Sequence, residues 1–222
     1  MNPANQPVNS AKSMRTQRIL LETLIVFALT VIPSFFWPSF KIVSVFLPIA
    51  YLLIERQLRK RPWSELGFDS RGIKPALASN WFLILLIVGI QFIIALLAKT
   101  LWPEFLVHVK SRIPLVDITQ LVPFLIMMIF TTLGEEMAFR SLFQERLSWF
   151  IKTPIAIFIV SIVFGALHWA QGDPMVAFVD VALVTLDGAI FGIIFSRGKN
   201  LYAAWVAHFI SNTAAAVFLS IL

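Results

Sequence analysis

The chain has 222 residues, of which 59% are apolar and only 14% are charged, and its mean hydropathy is +0.84. A water-soluble chain of this length has too little interior to bury so much apolar surface, so we predict an integral membrane protein. The sequence contains no cysteine, which excludes disulfides, thiolate metal sites and cysteine nucleophiles.

The apolar stretches predict the elements in chain order. Residues 1–16 are polar and predict a loose N-terminal tail, followed by a single transmembrane domain over 17–222. We predict an all-α, polytopic transmembrane helix bundle of about seven spans with a membrane-embedded polar cavity. The second stretch is the shortest and has an alternative interpretation as half of a re-entrant pair. The predicted spans are 18–37, 40–54, 80–102, 119–143, 154–170, 175–195 and 200–222.

The basic residues indicate the orientation of these spans. The formal net charge is +6, but the lysines and arginines lie in short runs between apolar stretches, so we predict no nucleic-acid partner. If the spans alternate, all but four of the 18 basic residues fall on the side of the N-terminus. This asymmetry predicts a cytoplasmic N-terminus. The small size and compact loops favour a bacterial plasma (inner) membrane.

The fourth predicted span carries charges that a bilayer should exclude, since a charge at its centre costs at least ~2.5–3.5 kcal/mol. Glu136 and Arg140 are four residues apart, so on a regular helix they share a face and can form an ion pair. Glu135 points about 100° away from Glu136. We therefore predict one structural carboxylate and one that is free.

Two of the three histidines also fall within predicted spans. His168 follows Phe164 by one helical turn, so the ring forms an apolar wall beside the imidazole. His208 and Asn212 have the same spacing, and such a pair can bind a metal or an oxyanion. Regular helices place His168 and His208 at different depths, so a common site requires a tilted or broken helix.

These residue types permit two kinds of water activation. A desolvated carboxylate is a competent general base, an imidazole can share its proton, and His208 with Asn212 can hold a carbonyl oxygen as it becomes negative. Alternatively, Glu135, His168 and His208 are ligands of a divalent metal such as zinc, which lowers the pKa of a bound water. The residues alone leave both possibilities open.

Three motifs in order resemble one family: Glu135-Glu136-x-x-x-Arg140, Phe164-x-x-x-His168 and His208-x-x-x-Asn212. They resemble the CAAX proteases and bacteriocin-processing enzymes, also called the CPBP or Abi family, which include the Ras-converting CAAX endopeptidase. The similarity covers roughly residues 80–222, with its motif-bearing core at about 119–222. The resemblance implies a membrane-embedded helical fold and an intramembrane endopeptidase.

The same resemblance implies roles for the motif residues. Glu135 is the catalytic carboxylate, His168 helps it to activate water, and His208 with Asn212 stabilises the oxyanion. Glu136 and Arg140, with Phe164, support the site. The family includes members described as metalloproteases and as metal-independent glutamate proteases, so the cofactor stays open. The implied partners are the lipid bilayer and a peptide or protein substrate, such as a lipid-modified CAAX-like tail or a peptide precursor.

The polar residues also allow other interpretations. The glutamates and Arg140 could form a buried ion-pair cluster that only holds helices together. The whole protein could be a catalytically silent scaffold or immunity protein, or a small proton-coupled transporter. For Asp180 and Asp187 we favour polar packing or cavity lining, and for Gly188 with Gly192 close helix packing. We assign no role to His108, which lies in a predicted outer loop.

Overall fold

The structure is a computed structural model that describes residues 6–37, 39–112 and 121–221, and the side chains of 17–37, 39, 40, 45–112 and 121–221 among them. The described residues are helical, with no strand among them. The helices are α1 Gln6–Phe36, α2 Phe40–Arg59, α3 Ile73–Leu101, α4 Pro103–Arg112, α5 Leu121–Leu147, α6 Thr153–Leu167, α7 Pro174–Gly198 and α8 Leu201–Ile221. A short 3₁₀-helix, Trp63–Leu66, lies between α2 and α3.

Five helices are long and apolar enough to cross a membrane. They are α1 from Gln17, α3, α5, α7 and α8, and α6 is a shorter apolar helix. An integral membrane protein with an all-α fold is therefore confirmed, whereas the count of seven spans remains a prediction. The bundle's cavity is described below, and its depth in a bilayer also remains a prediction.

Three expectations about loops and termini are corrected. α1 begins at Gln6, so the described part of the predicted loose tail is helical, and residues 1–5 lie outside the described residues. Pro7 is compatible with this start, because proline is tolerated in the first turn of a helix. His108 lies in helix α4 and not in a loop. Arg140 lies buried within α5 and cannot be counted as a loop residue in the charge asymmetry.

Small residues set how closely the helices around the site approach. A Cβ at Gly165 of α6 would lie 2.7 Å from the carbonyl oxygen of Val181 in α7, so only glycine permits this contact. On α8 three alanines, Ala203, Ala204 and Ala207, are fully buried in the core formed with α3 and α7. Close packing of this kind is the usual way in which membrane helices associate.

The segment around the 3₁₀-helix ties two site-bearing helices together. Gly67 has φ +87°, a conformation that favours glycine. Its carbonyl oxygen accepts a hydrogen bond from the backbone N–H of Leu201, the first residue of α8, at 2.8 Å. The preceding carbonyl, that of Leu66, accepts a hydrogen bond from the hydroxyl of Ser141 in α5 at 2.6 Å. The start of α8 and the polar half of α5 are thus fixed to the same turn.

A buried ion-pair cluster closes one end of the bundle. Glu55, near the end of α2, pairs with Arg146 of α5 and with Arg59 and Arg61. Burial pushes the pKa of Glu55 upward, but the charge of Arg146 and the hydrogen bond from Arg59 outweigh it and lower the pKa. The cluster therefore stabilises the fold while Glu55 is ionised.

Candidate active site

Helix α5 is not a regular α-helix where it carries the charged motif. From Met137 to Gln144 it follows a π-helix, and every residue from Ala138 to Gln144 is buried. π-helical turns are rare in proteins overall, and those that occur frequently lie at functional sites. The prediction of a regular helix over 119–143 is therefore wrong in this segment. The spacing of residues in the sequence does not indicate this wider winding.

Glu136 is the structural carboxylate of the predicted pair. Its side chain is completely buried, and its Oε1 lies 3.2 Å from Nη1 of Arg140 and 2.8 Å from Nδ1 of His208. Arg140 is itself buried, and its Nη2 donates to the carbonyl oxygen of Gly188 in α7 at 2.8 Å. The Glu136–Arg140 pair therefore links α5 to both α7 and α8.

Glu135 has the opposite environment. Its side chain is 24% exposed, compared with 0% for Glu136, and it lines a cavity between the helices. Its Oε2 lies 3.6 Å from Nε2 of His208, which is beyond hydrogen-bond distance. A carboxylate that lines a cavity and is not held by an arginine is free to accept a proton from a bound water.

His208 and Asn212 present nitrogens to the same cavity. Nδ2 of Asn212 lies 3.2 Å from Nε2 of His208, as the four-residue spacing predicts. The ring of His208 stacks on Phe191 with centroids 4.4 Å apart, which fixes its plane. Two nitrogens so close together can both reach one oxygen atom of a ligand.

His168 reaches the cavity from the end of a helix. It follows the last residue of α6, and its Nδ1 donates to the carbonyl oxygen of Phe164 at 2.7 Å. In the neutral ring this bond selects the tautomer with its proton on Nδ1, which leaves Nε2 as an acceptor. The ring of Phe164 lies 4.7 Å from that of His168 and 5.8 Å from that of His208, so it is a wall shared by both imidazoles.

The cavity has a volume of about 320 Å³ and collects side chains from α3 to α8. All four predicted catalytic residues line it, together with Phe164, whereas Glu136 and Arg140 lie behind its wall. The predicted site residues are thus brought together, and the depth difference between the two histidines does not separate them. Most of the remaining lining is apolar, as in many ligand sites.

The residues proposed as metal ligands are not gathered as a metal site. In the described part of the chain no group of three His, Cys, Asp or Glu side chains is placed to hold one ion. Nδ1 of His168 is used by a backbone carbonyl, whereas the distance of 3.6 Å between Nε2 of His208 and Oε2 of Glu135 is compatible with two ligands of one ion but supplies no third. The arrangement does not fit a three-ligand ion, so we derive no step through a metal.

Several polar residues of the site were missed or left unassigned by sequence reasoning. His108 and Arg112 of α4 both contact Asp180 of α7, at 3.3 and 2.5 Å. Gln91 of α3 donates to Asp187 of α7 at 2.7 Å. The prediction of polar packing or cavity lining for both aspartates agrees with these contacts. Their partners lie 68 to 96 residues away in the sequence, so no local pattern could have found them.

The two glycines of α7 do more than allow helix backbones to approach. Side chains of α5 reach their carbonyl groups: Arg140 donates to Gly188, and Gln144 donates to Gly192 at 2.9 Å. A Cβ at Gly192 would lie 2.7 Å from Oε1 of Gln144. The glycines therefore make room for the polar side chains that anchor the π-helix.

One comparison with known proteins gives a match, and it covers the part of the chain that contains the site. The sequence model of the family described as "Type II CAAX prenyl endopeptidase Rce1-like" matches residues 117–214, of which 117–120 lie outside the described residues. No curated protein and no solved structure matches the chain. The matched segment contains every predicted site residue from Glu135 to Asn212, and at the level of the family it supports a membrane protease. The resemblance predicted from the three motifs is therefore confirmed over residues 117–214, the segment that matches the model of the Rce1-like family.

Proposed function

We propose that this protein is an intramembrane endopeptidase that hydrolyses a peptide bond with a water activated by Glu135 and His168. The observation that supports this most is the contrast between the two adjacent glutamates. Glu136 is buried and paired with Arg140, while Glu135 faces the cavity beside His208 and Asn212. A cluster of ion pairs that only stabilises the fold does not explain why one carboxylate faces a cavity without an arginine partner.

The reaction begins with a water held between Glu135 and Nε2 of His168. The carboxylate of Glu135 takes a proton from the water while the oxygen of that water attacks the carbonyl carbon of the substrate. The carbonyl oxygen becomes negative, and the new C–O bond gives a tetrahedral intermediate. When the C–N bond breaks, the same proton passes from Glu135 to the leaving amine nitrogen. No proton or electron is gained or lost overall.

His208 and Asn212 stabilise the oxyanion in this mechanism. Two carboxylates lie beside His208: Oε1 of Glu136 is 2.8 Å from Nδ1, and Oε2 of Glu135 is 3.6 Å from Nε2. In this proposal Nδ2 of Asn212 and Nε2 of His208, which are 3.2 Å apart, both contact the substrate carbonyl oxygen, and the amide N–H donates to it. Removing one donor of an oxyanion site typically lowers kcat about 10²- to 10³-fold.

The substrates we propose are CAAX-like C-terminal tails, with or without an attached lipid, or peptide precursors. The proposed location is a bacterial inner membrane with the N-terminus in the cytoplasm. Apolar lining over most of the cavity is compatible with apolar substrate side chains next to the cleaved bond.

The experiment is cleavage of a peptide library by the purified protein in detergent, run in ¹⁸O-labelled water. Hydrolysis predicts products whose new carboxyl group contains one ¹⁸O atom. The matched variant Asn212→Leu should lower kcat about 10²- to 10³-fold without changing the cleavage position. A folded wild-type protein that produces no labelled product would favour a silent scaffold or a transporter.

A further inference from the structure

The cavity contains a second polar pair that the proposed mechanism does not use. Asp187 of α7 is 9% exposed, and its Oδ2 accepts a hydrogen bond from Nε2 of Gln91 in α3 at 2.7 Å. Both residues line the cavity that contains Glu135. Asp187 also lies within electrostatic range of His208. The pair is therefore next to the reacting groups and is not part of them.

Two oxygen atoms of this pair are left without a partner. Among the described residues, neither Oδ1 of Asp187 nor Oε1 of Gln91 takes part in a hydrogen bond. Neither atom is among the fully buried side-chain oxygens that lack a hydrogen-bond partner, so both are accessible from the cavity that their residues line. An oxygen in an apolar helix bundle without a donor is unfavourable, unless a ligand or water supplies the donor.

Two other polar side chains of the cavity, outside the proposed catalytic groups, are already occupied. Asp180 accepts from both His108 and Arg112. Thr131 donates to the carbonyl oxygen of Met127 in its own helix. Asp187 and Gln91 therefore offer open acceptor oxygens in addition to the groups that the proposed mechanism uses, which are Glu135, His168, His208 and Asn212.

A peptide that is to be hydrolysed needs both hydrogen-bond donors and acceptors. An extended segment in an apolar surrounding has lost its own helical hydrogen bonds, and each N–H or C=O left unpaired costs free energy. His208 and Asn212 can satisfy a carbonyl oxygen, but a backbone N–H needs an acceptor on the other side of the segment. The two open oxygens have the required chemistry.

We infer that Asp187 and Gln91 bind the substrate main chain by accepting a backbone N–H next to the cleaved bond. This inference rests on the proposed peptidase function and names the residues that hold its substrate extended. Because the contact is with the main chain, it gives affinity for many sequences and selects against a helical segment or a proline at that position. It predicts an effect on KM with a smaller effect on kcat.

The experiment compares amide and ester substrates. A set of peptides, each with one non-scissile backbone amide replaced by an ester, is tested on wild type, Asp187→Leu and Asp187→Asn. In the wild type one ester position should raise KM about 2- to 10-fold, the size expected for one hydrogen bond. Asp187→Leu should raise KM for the amide peptide by a similar factor and show no further loss with that ester. Asp187→Asn has one acceptor oxygen in place of two, so the bond to Gln91 leaves an NH2 group facing the substrate N–H, and this variant should also raise KM and lose the ester effect.

Controls separate this contact from a structural role. Leu183→Ala changes the same wall of the cavity without removing an acceptor, so the ratio of ester to amide KM should stay at the wild-type value. Gln91→Met tests the partner if Asp187→Leu does not fold, and it should reduce the ester penalty as well. Binding of the same peptides to Glu135→Gln, measured as Kd, gives the comparison without turnover.

The inference is overturned if esters at every position change KM and Kd equally in wild type, Asp187→Leu and Gln91→Met. That result differs from a failure of the proposed function, in which the wild type binds peptides but produces no cleavage. Coupling in the Kd values without cleavage would uphold the binding site and reject the peptidase.

Discussion

Replacing Arg140 by alanine should destabilise the protein strongly, because Arg140 is buried and neutralises a buried carboxylate. The change removes the partner 3.2 Å from Oε1 of Glu136 and the hydrogen bond to Gly188. Breaking a buried ion pair from one side costs roughly 3–5 kcal/mol in soluble proteins. At about 2–4 °C per kcal/mol for a chain of this size, the melting temperature in detergent should fall by roughly 6–20 °C.

A second substitution tests the reason for this loss. Glu136→Gln added to Arg140→Ala removes the unpaired charge but keeps an oxygen that accepts from Nδ1 of His208. The double variant should therefore be more stable than Arg140→Ala alone, which is a coupling between the two sites. Thermal unfolding of the three proteins side by side measures it. A shift below about 2 °C for Arg140→Ala, or a double variant less stable than the single one, would refute the ion-pair explanation.

Three further predictions concern the rest of the molecule. Glu55 has a folded-state pKa below its unfolded value of about 4.3, so its stabilisation is complete above that pH and is lost as the pH falls through the folded value. Thermal melts against pH should show this, and Glu55→Gln, which leaves Arg146 unpaired, should reduce the acid dependence and cost roughly 3–5 kcal/mol at neutral pH. Asp180→Asn should keep most cleavage activity, because Asp180 contacts Arg112 and is assigned to packing; a loss of turnover in a normally folded variant would place it in the active site. Cysteine introduced at the exposed Glu65 should be labelled only from the cytoplasmic side, and labelling from outside would reverse the orientation.

The sequence predicted the membrane-spanning character and several residues that line the cavity, because both depend on local patterns. Apolar runs of about 20 residues define helices that span a bilayer, and charges within them are conspicuous. The division of roles between Glu135 and Glu136 followed from helical spacing, and the structure places only Glu136 against Arg140. A spacing of four residues also placed Asn212 beside His208.

Other features depend on contacts between distant segments or on winding that no pattern records. The π-helix over Met137–Gln144 is stabilised by side chains that reach α7, so its cause lies outside its own sequence. Helix α4 is short and only weakly apolar, and its place in the fold depends on the contacts of His108 and Arg112 with Asp180. The Gln91–Asp187 pair joins residues 96 positions apart.

Cleavage by Glu135→Gln, compared with Glu136→Gln, tests the central claim most directly. Glutamine cannot take a proton from water, so Glu135→Gln should abolish peptide cleavage. Its melting temperature should stay at or above the wild-type value, because a partly exposed carboxylate without an arginine partner is removed. Glu136→Gln should instead lower stability, since Arg140 loses its partner. Near-normal turnover by a folded Glu135→Gln protein would contradict the proposed role of Glu135 as the base.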